Sequence, residues 1–180
     1  MADKTPSRNK SPLYIGLLRK TPLGNLWIAV SEAGLTAVTW SQNQAEFGEY
    51  LIRRFKRPAQ LDAGRTAQAM NELREYLKGK LRQFTIPIDW SVLRPFQCQA
   101  LQATFAIPYG QTRTYGYIAA QFGRPKAARA VGRAEATNPM PLVIPCHRVI
   151  GADGKLHGYG GGNGLPTKEW LLKMEGALMA

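Results

Sequence analysis

Cysteine is scarce in this 180-residue chain, with only Cys98 and Cys146, and two thiols cannot staple a disulfide-framed domain. Histidine is as rare, at His147 and His157. The four side chains equal the ligand number of a structural zinc site, but neither a Cys-x2-4-Cys nor a His-x3-5-His spacing is present, so no metal is expected. No stretch approaches the roughly eighteen consecutive apolar residues of a membrane span. The start, Met1 to Lys10, is polar and lacks the apolar centre of a secretion signal. These shortages predict a reduced, cytoplasmic protein with no membrane partner, nucleoid-associated if prokaryotic. Acidic groups are the last shortage: 12 Asp and Glu stand against 24 Lys and Arg.

The resulting charge of +12 and pI of about 10.1 favour a polyanionic partner, nucleic acid first. Up to Ser91 there are 14 basic and 8 acidic residues, and from Val92 on there are 10 and 4, so each part carries +6 and no basic tail concentrates the charge. Charge of this kind also serves solubility alone. With 44% hydrophobic residues and no low-complexity tract, the chain is long enough for one domain or two small ones.

Tyr14 to Leu18, Leu26 to Val30 and Leu35 to Trp40 read as strands. The turn segments Thr21-Pro-Leu-Gly-Asn25 and Ser31-Glu-Ala-Gly34 join them into an antiparallel meander. Helices are expected over Ala45 to Phe55 and over Arg65 to Lys78, where Met70, Leu73 and Leu77 recur at helical spacing. This N-terminal α+β unit is expected to span 1–91. From Arg94 a helix opened by Pro95 carries Phe96, Cys98, Leu101 and Phe105 on one side, which predicts a buried Cys98. A second helix starts after the N-cap Thr114, and Gly123 ends it. A third covers Lys126 to Glu135. Two short helices around a glycine turn suggest helix-turn-helix, although many such pairs never touch DNA. Ala127, Ala128, Ala130, Gly132 and Ala134 would let a partner approach closely, with Arg124, Arg129 and Arg133 for phosphates. Glu135 argues against that role, since an acidic group there would repel the backbone.

The chemistry-bearing segment is Met140-Pro-Leu-Val-Ile-Pro-Cys-His-Arg-Val-Ile150, an apolar strand-like run broken by Pro145, Cys146, His147 and Arg148. Proline distorts a strand, so the thiol would be presented at a bend. The neighbouring histidine and arginine would favour its thiolate. Taken alone, a Cys-His pair is more often a small buried hydrophobe beside a satisfied core histidine. Strand neighbours point to opposite faces, so His147 could act on Cys146 only through a bend or a relaying water.

The block from Asn138 to Val149 resembles the active-site signature of the methylated-DNA–protein-cysteine methyltransferases, also called O6-alkylguanine-DNA alkyltransferases. Ile107-Pro-Tyr-Gly110, Thr114-Tyr-Gly116 and Pro125-Lys-Ala-Ala-Arg-Ala-Val-Gly132 resemble that family's helix-turn-helix. Gly158-Tyr-Gly-Gly161, Lys168-Glu-Trp-Leu-Leu172 and Glu175-Gly176 resemble its closing loop and last helix. The resemblance implies an α+β fold: a small antiparallel, RNase H-like sheet domain, then a C-terminal winged helix-turn-helix-like alkyltransferase domain over 92–180 carrying all the chemistry. It implies single-turnover repair of O6-alkylguanine, and of O4-alkylthymine by extension, in double-stranded DNA, without a cofactor; as no exposed apolar helix stripe or heptad is present, a monomer is expected. Cys146 would be the alkyl acceptor, His147 its base through water, Glu175 the orienting group and Asn138 the brace of the bend. Tyr115 would donate a proton to, or hydrogen-bond, the leaving guanine, and Arg129 would fill the stack of a base flipped through the minor groove. Gly116, Arg124, Ala128 and Gly132 would lie on DNA, while Tyr159, Gly160 and Pro141 would line the base pocket. Glu135 stands where the family places a neutral side chain. Gly160 occupies a position that often bears one, leaving room for bulkier adducts, and the loop over Gly161 to Thr167 is about two residues longer than usual. A non-catalytic DNA-damage sensor and a cysteine hydrolase are the rival classes; the first has no need of Cys146, and the second lacks an oxyanion loop.

Overall fold

The computed structural model describes residues 11–178; the polar leader Met1 to Lys10 lies outside them. Strands β1 (Leu13–Thr21), β2 (Gly24–Ser31) and β3 (Gly34–Thr39) form the expected meander, paired Ile15 to Ala29 and Ile28 to Val38. Their alternation serves two cores. Leu18, Leu26, Ile28, Val30 and Val38 face the main one, while Leu13, Ile15, Trp27, Ala29 and Ala37 face a second beneath α1 (Gln44–Phe55). A sheet covered on both faces explains why these strands are apolar throughout.

The sheet is not purely antiparallel. A fourth strand, β4 (Ala59–Leu61), pairs parallel to β1, giving the order β3-β2-β1-β4. At three residues behind Pro58 it is too short to show an alternation. Helix α2 (Ala63–Leu77) follows and buries Ala69, Leu73, Tyr76 and Leu77 against the sheet. Both helices are capped at their N-termini by side chains, Asn43 accepting from Glu46 N and Asp62 from Arg65 N.

Beyond a short turn at Trp90–Val92, α3 (Pro95–Phe105), α4 (Tyr115–Gln121) and α5 (Ala128–Ala136) share a third core of Ala100, Ile107, Ile118, Ala119, Val131 and Ala134. Thr114 caps α4 by accepting from Tyr117 N, and Gly123 at φ 73° turns the chain towards α5. The pair β5 (Arg113–Thr114) and β6 (Val149–Ile150) flanks it, and α6 (Leu165–Met174) closes the fold.

Four local expectations change. Helix α5 starts at Ala128, because Ala127 N bonds back to Arg124 O and Lys126 belongs to that turn. Cys98 is only partly buried: the inner side of α3 is Ala100, Leu101 and Thr104. Phe105 is exposed and stands edge-on to Trp90. The run from Met140 is not a strand. Pro139, Pro141 and Pro145 remove the donors a ladder needs, so Met140 to Ile144 coils through a turn with Leu142 at φ 74°, and Cys146–Arg148 form one 3-10 turn. Val38 N donates to Pro139 O at 2.8 Å, tying this segment to β3. Among the described residues no helix is long and apolar enough to cross a membrane.

Candidate active site

Cys146 opens the 3-10 turn with 6% of its surface exposed. Asn138 Nδ2 donates to Ile144 O at 2.9 Å and lies 3.3 Å from Cys146 Sγ, while Asn138 Oδ1 accepts from Met140 N at 2.9 Å. One amide thus holds both limbs of the turn and offers an N–H to the sulfur. Cys146 sits where two cavities meet. One, of about 220 Å³, is lined by Tyr115, Gly132, Glu135, Tyr159 and Gly160. The other, of about 380 Å³, adds Asn138, Pro141 and Gly160 to Trp40, Tyr50 and Arg54 of the N-terminal half.

A 3-10 turn sends neighbouring side chains about a third of a revolution apart, so His147 points away from the cavities into the core. Its Nε2 lies 2.9 Å from Glu175 Oε1, and Tyr76 Oη lies 3.1 Å from the same nitrogen. Tyr76 donates to Glu175 Oε1 at 2.5 Å, and Arg148 donates from Nε to Oε2 and from Nη2 to Oε1, each at 2.9 Å. Gly110 N completes the set at 3.2 Å. Burial alone would raise the Glu175 pKa, but the bonds from His147 and Arg148 hold it far below the ordinary carboxylate range. Burial lowers the His147 pKa against the pull of Glu175. The ring is therefore neutral, its proton on Nε2 faces the carboxylate, and the buried Nδ1 makes no hydrogen bond to the protein.

The resting thiol differs from expectation. Burial pushes the Cys146 pKa up to about 12, and the charge of Glu135 adds to that, against lowering by Asn138 and Lys168. Arg148, expected to favour the thiolate, is committed to Glu175 and to Ile107 O at 2.6 Å. Cys146 thus rests as a thiol. Tyr115 is likewise held protonated, its pKa raised to about 12 by burial and by the charges of Glu135 and Cys146.

Asn138, Pro141, Tyr115, Gly132, Tyr159 and Gly160 thus gather around Cys146, with His147 and Glu175 behind it. Arg124 and Arg129 are exposed on the helix-turn-helix surface, with Gly116 and Ala128 partly buried beside them. Arg124 lies 5.7 Å over the Phe96 ring. Gly160 lines both cavities, and a Cβ there would stand 2.9 Å from Ala136 O, so close backbone approach accounts for the glycine. Glu135 does not face outward: it is 6% exposed and accepts from Thr104 Oγ1 at 2.6 Å.

Two further residues escaped the sequence reading. Tyr76 belongs to α2, so the N-terminal half contributes to the hydrogen-bond cluster of His147 and Glu175 behind Cys146. Lys168, fully buried, donates to Val149 O at 2.6 Å and His157 O at 3.0 Å, pinning the loop that carries Tyr159. Its spacing from Leu171 and Leu172, on the inner stripe of α6, was the available signal.

Two family models match the chain. The 6-O-methylguanine DNA methyltransferase ribonuclease-like domain matches residues 13–90, and the DNA binding domain of the same enzymes matches residues 95–177. The chain belongs to the methylated-DNA–protein-cysteine methyltransferase family. A member of that name from Salmonella typhimurium is 41% identical over 162 residues, covering 88% of this chain and 94% of the relative. The structure of the Mycobacterium tuberculosis O6-methylguanine methyltransferase is similar with a TM-score of 0.73 at 38% identity, over 92% of this chain and 93% of that one. The Mycobacterium tuberculosis OGT in complex with DNA gives 0.74 at 37%, over 91% and 93%.

Proposed function

We propose that Cys146 is the acceptor of a single-turnover methyltransferase that repairs O6-alkylguanine in double-stranded DNA. The observation that carries this reading is the placement of Cys146 Sγ at the junction of two cavities, with Asn138 Nδ2 on the sulfur. An alkyl carbon on O6 is out of reach inside stacked duplex, so the nucleotide is rotated out at a cost of about a few kcal/mol. Arg129, exposed on α5, takes its place in the stack, and the small side chains Gly116, Ala128 and Gly132 with Arg124 seat the helix in the minor groove.

The base enters between Tyr115 and Tyr159. A water carries the thiol proton to Nδ1 of His147, whose imidazolium is compensated by the Glu175 carboxylate. The thiolate attacks the alkyl carbon in line, the C–S bond forms as the C–O6 bond breaks, and the electron pair passes into the guanine ring. Tyr115, held protonated, supplies the proton that makes the base a neutral leaving group. O4-alkylthymine presents the same alkyl–oxygen bond to the same sulfur. The thioether product has no hydrolytic route back to the thiol, so one molecule repairs one lesion. The reading needs no cofactor or metal and is that of a cytoplasmic monomer divided near residue 91, a boundary supported by the two family matches meeting between 90 and 95.

The test is duplex DNA carrying O6-[³H-methyl]guanine. Label should move to the protein one-to-one and fail to move to Cys146→Ala. DNA binding with no labelled protein would refute the reading in favour of a damage sensor.

A further inference from the structure

Among the described residues four buried side-chain polar atoms have no hydrogen-bond partner: Arg54 Nε, Glu135 Oε2, His147 Nδ1 and Tyr159 Oη. All four belong to the surroundings of Cys146. Native proteins leave few such atoms, and each one needs a reason. The His147 nitrogen has one in the proton relay. Glu135 does not, and it lines both cavities that open on Cys146.

The carboxyl is a built feature. Thr104, fully buried on α3, donates to Oε1 and fixes the group, leaving Oε2 uncommitted. The titratable and charged groups around it are Tyr115 from α4, Cys146 from the 3-10 turn and Lys168 from α6, with Tyr50 and Arg54 of α1 and Tyr159 lining the cavities it shares with Cys146. From α3 the neutral Thr104 approaches it. Lys168 does not pair with the carboxyl, because its Nζ is spent on two backbone carbonyls. We propose that Glu135 is a contact residue for the extruded base, with Oε2 supplying the pocket with a hydrogen-bonding group that the base engages before Cys146 attacks. This inference rests on the alkyl-acceptor role of Cys146 given above.

The protonation state follows from the surroundings. Burial raises the Glu135 pKa to about 8, against the Thr104 bond and the charge of Lys168. At neutral pH Oε2 can carry a proton and donate it to a ring nitrogen or oxygen of the base. Above pH 8 the group becomes an anion near the sulfur that must itself become one, so the donor is lost and formation of the thiolate is opposed.

Free O6-benzylguanine tests this without any need for base flipping. The second-order rate of Cys146 alkylation is measured from pH 6 to 9.5 for the parent, Glu135→Gln and Glu135→Met. The parent rate should fall above about pH 8. Glu135→Gln keeps an acceptor for Thr104 and an N–H for the base, so its rate should show no alkaline fall. Glu135→Met, with neither, should be roughly fivefold to tenfold slower than Glu135→Gln at pH 7, the worth of one hydrogen bond. Superimposed profiles for parent and Glu135→Gln, or equal rates for Gln and Met at pH 7, overturn the proposal. If Met fails to fold, as circular dichroism would show, the comparison of parent with Gln still decides. A parent that is never alkylated would instead overturn the acceptor role of Cys146.

Discussion

Tyr76 Oη lies 2.5 Å from Glu175 Oε1 and 3.1 Å from His147 Nε2, so a side chain from α2 closes the hydrogen-bond cluster behind Cys146. The hydroxyl donates to the carboxylate, which leaves the Nε2 proton of His147 also directed at Glu175. Orientation of the His147 ring is therefore shared between the two halves of the chain.

Tyr76→Phe should slow alkyl transfer from both duplex and free base by roughly threefold to tenfold, because the ring keeps its packing but one fixed donor is lost. Stability should fall by about 1–2 kcal/mol, since a buried carboxylate oxygen loses a partner. Rates of Cys146 alkylation and urea unfolding measure the two effects. An unchanged rate beside lowered stability would reduce Tyr76 to packing.

Glu175→Gln should cost about 3–5 kcal/mol at pH 7, because Arg148 remains buried as a cation without its counter-ion. The pH dependence has a definite sign. A carboxyl whose folded pKa is lowered contributes stability above its ordinary value of 4.5 and loses it as the pH falls through the lower one. The deficit of the variant in urea midpoints should therefore shrink between pH 7 and pH 3. A constant deficit would mean that charge is not what Glu175 contributes.

The sheet meander and most helices were legible because they carry a periodic pattern or a terminal residue with a mechanism, such as Pro95 and Thr114 at helix starts and Gly123 as a stop; the caps Asn43 and Asp62 emerged only in the structure. What escaped was set by tertiary contact. The three residues of β4 acquire their strand character only by lying beside β1. The Met140 run is apolar like a strand, but its prolines decide the backbone and its apolarity reflects burial against the sheet. Cys146, Asn138, Tyr115 and Glu175 were readable as a motif, whereas Tyr76 reads as one more residue of a helix stripe. Glu135 was noticed and misplaced, because charge in a DNA-facing helix suggests solvent unless a buried partner such as Thr104 is known.

Glu135→Gln should also change stability, in the direction opposite to Glu175→Gln. A raised folded pKa means that the contribution is fully present below the ordinary 4.5 and is lost as the pH rises through about 8. The parent should thus weaken across that window relative to the variant, which does not titrate. Thermal midpoints of the two proteins should converge below pH 4.5 and separate above pH 8, with the variant higher. Parallel curves would show that the carboxyl titrates where an exposed one does.

Arg129→Ala separates access from chemistry. Arg129 is exposed on α5, whereas Glu135 six residues later is buried and lines a cavity with Cys146, so the two side chains face different surroundings. At about 100° per residue the two side chains lie roughly 120° apart around the axis. A residue that only holds the flipped state should matter for duplex and not for a base that arrives free. The ratio of the O6-methylguanine duplex rate to the free O6-benzylguanine rate should fall by roughly tenfold to a hundredfold, which corresponds to the few kcal/mol of unstacking that the inserted side chain offsets. Raising the salt should slow the parent on duplex more steeply than the variant, since one phosphate-proximal cation has gone. An unchanged ratio would assign the insertion to another side chain of α5, with Arg133 the next to test.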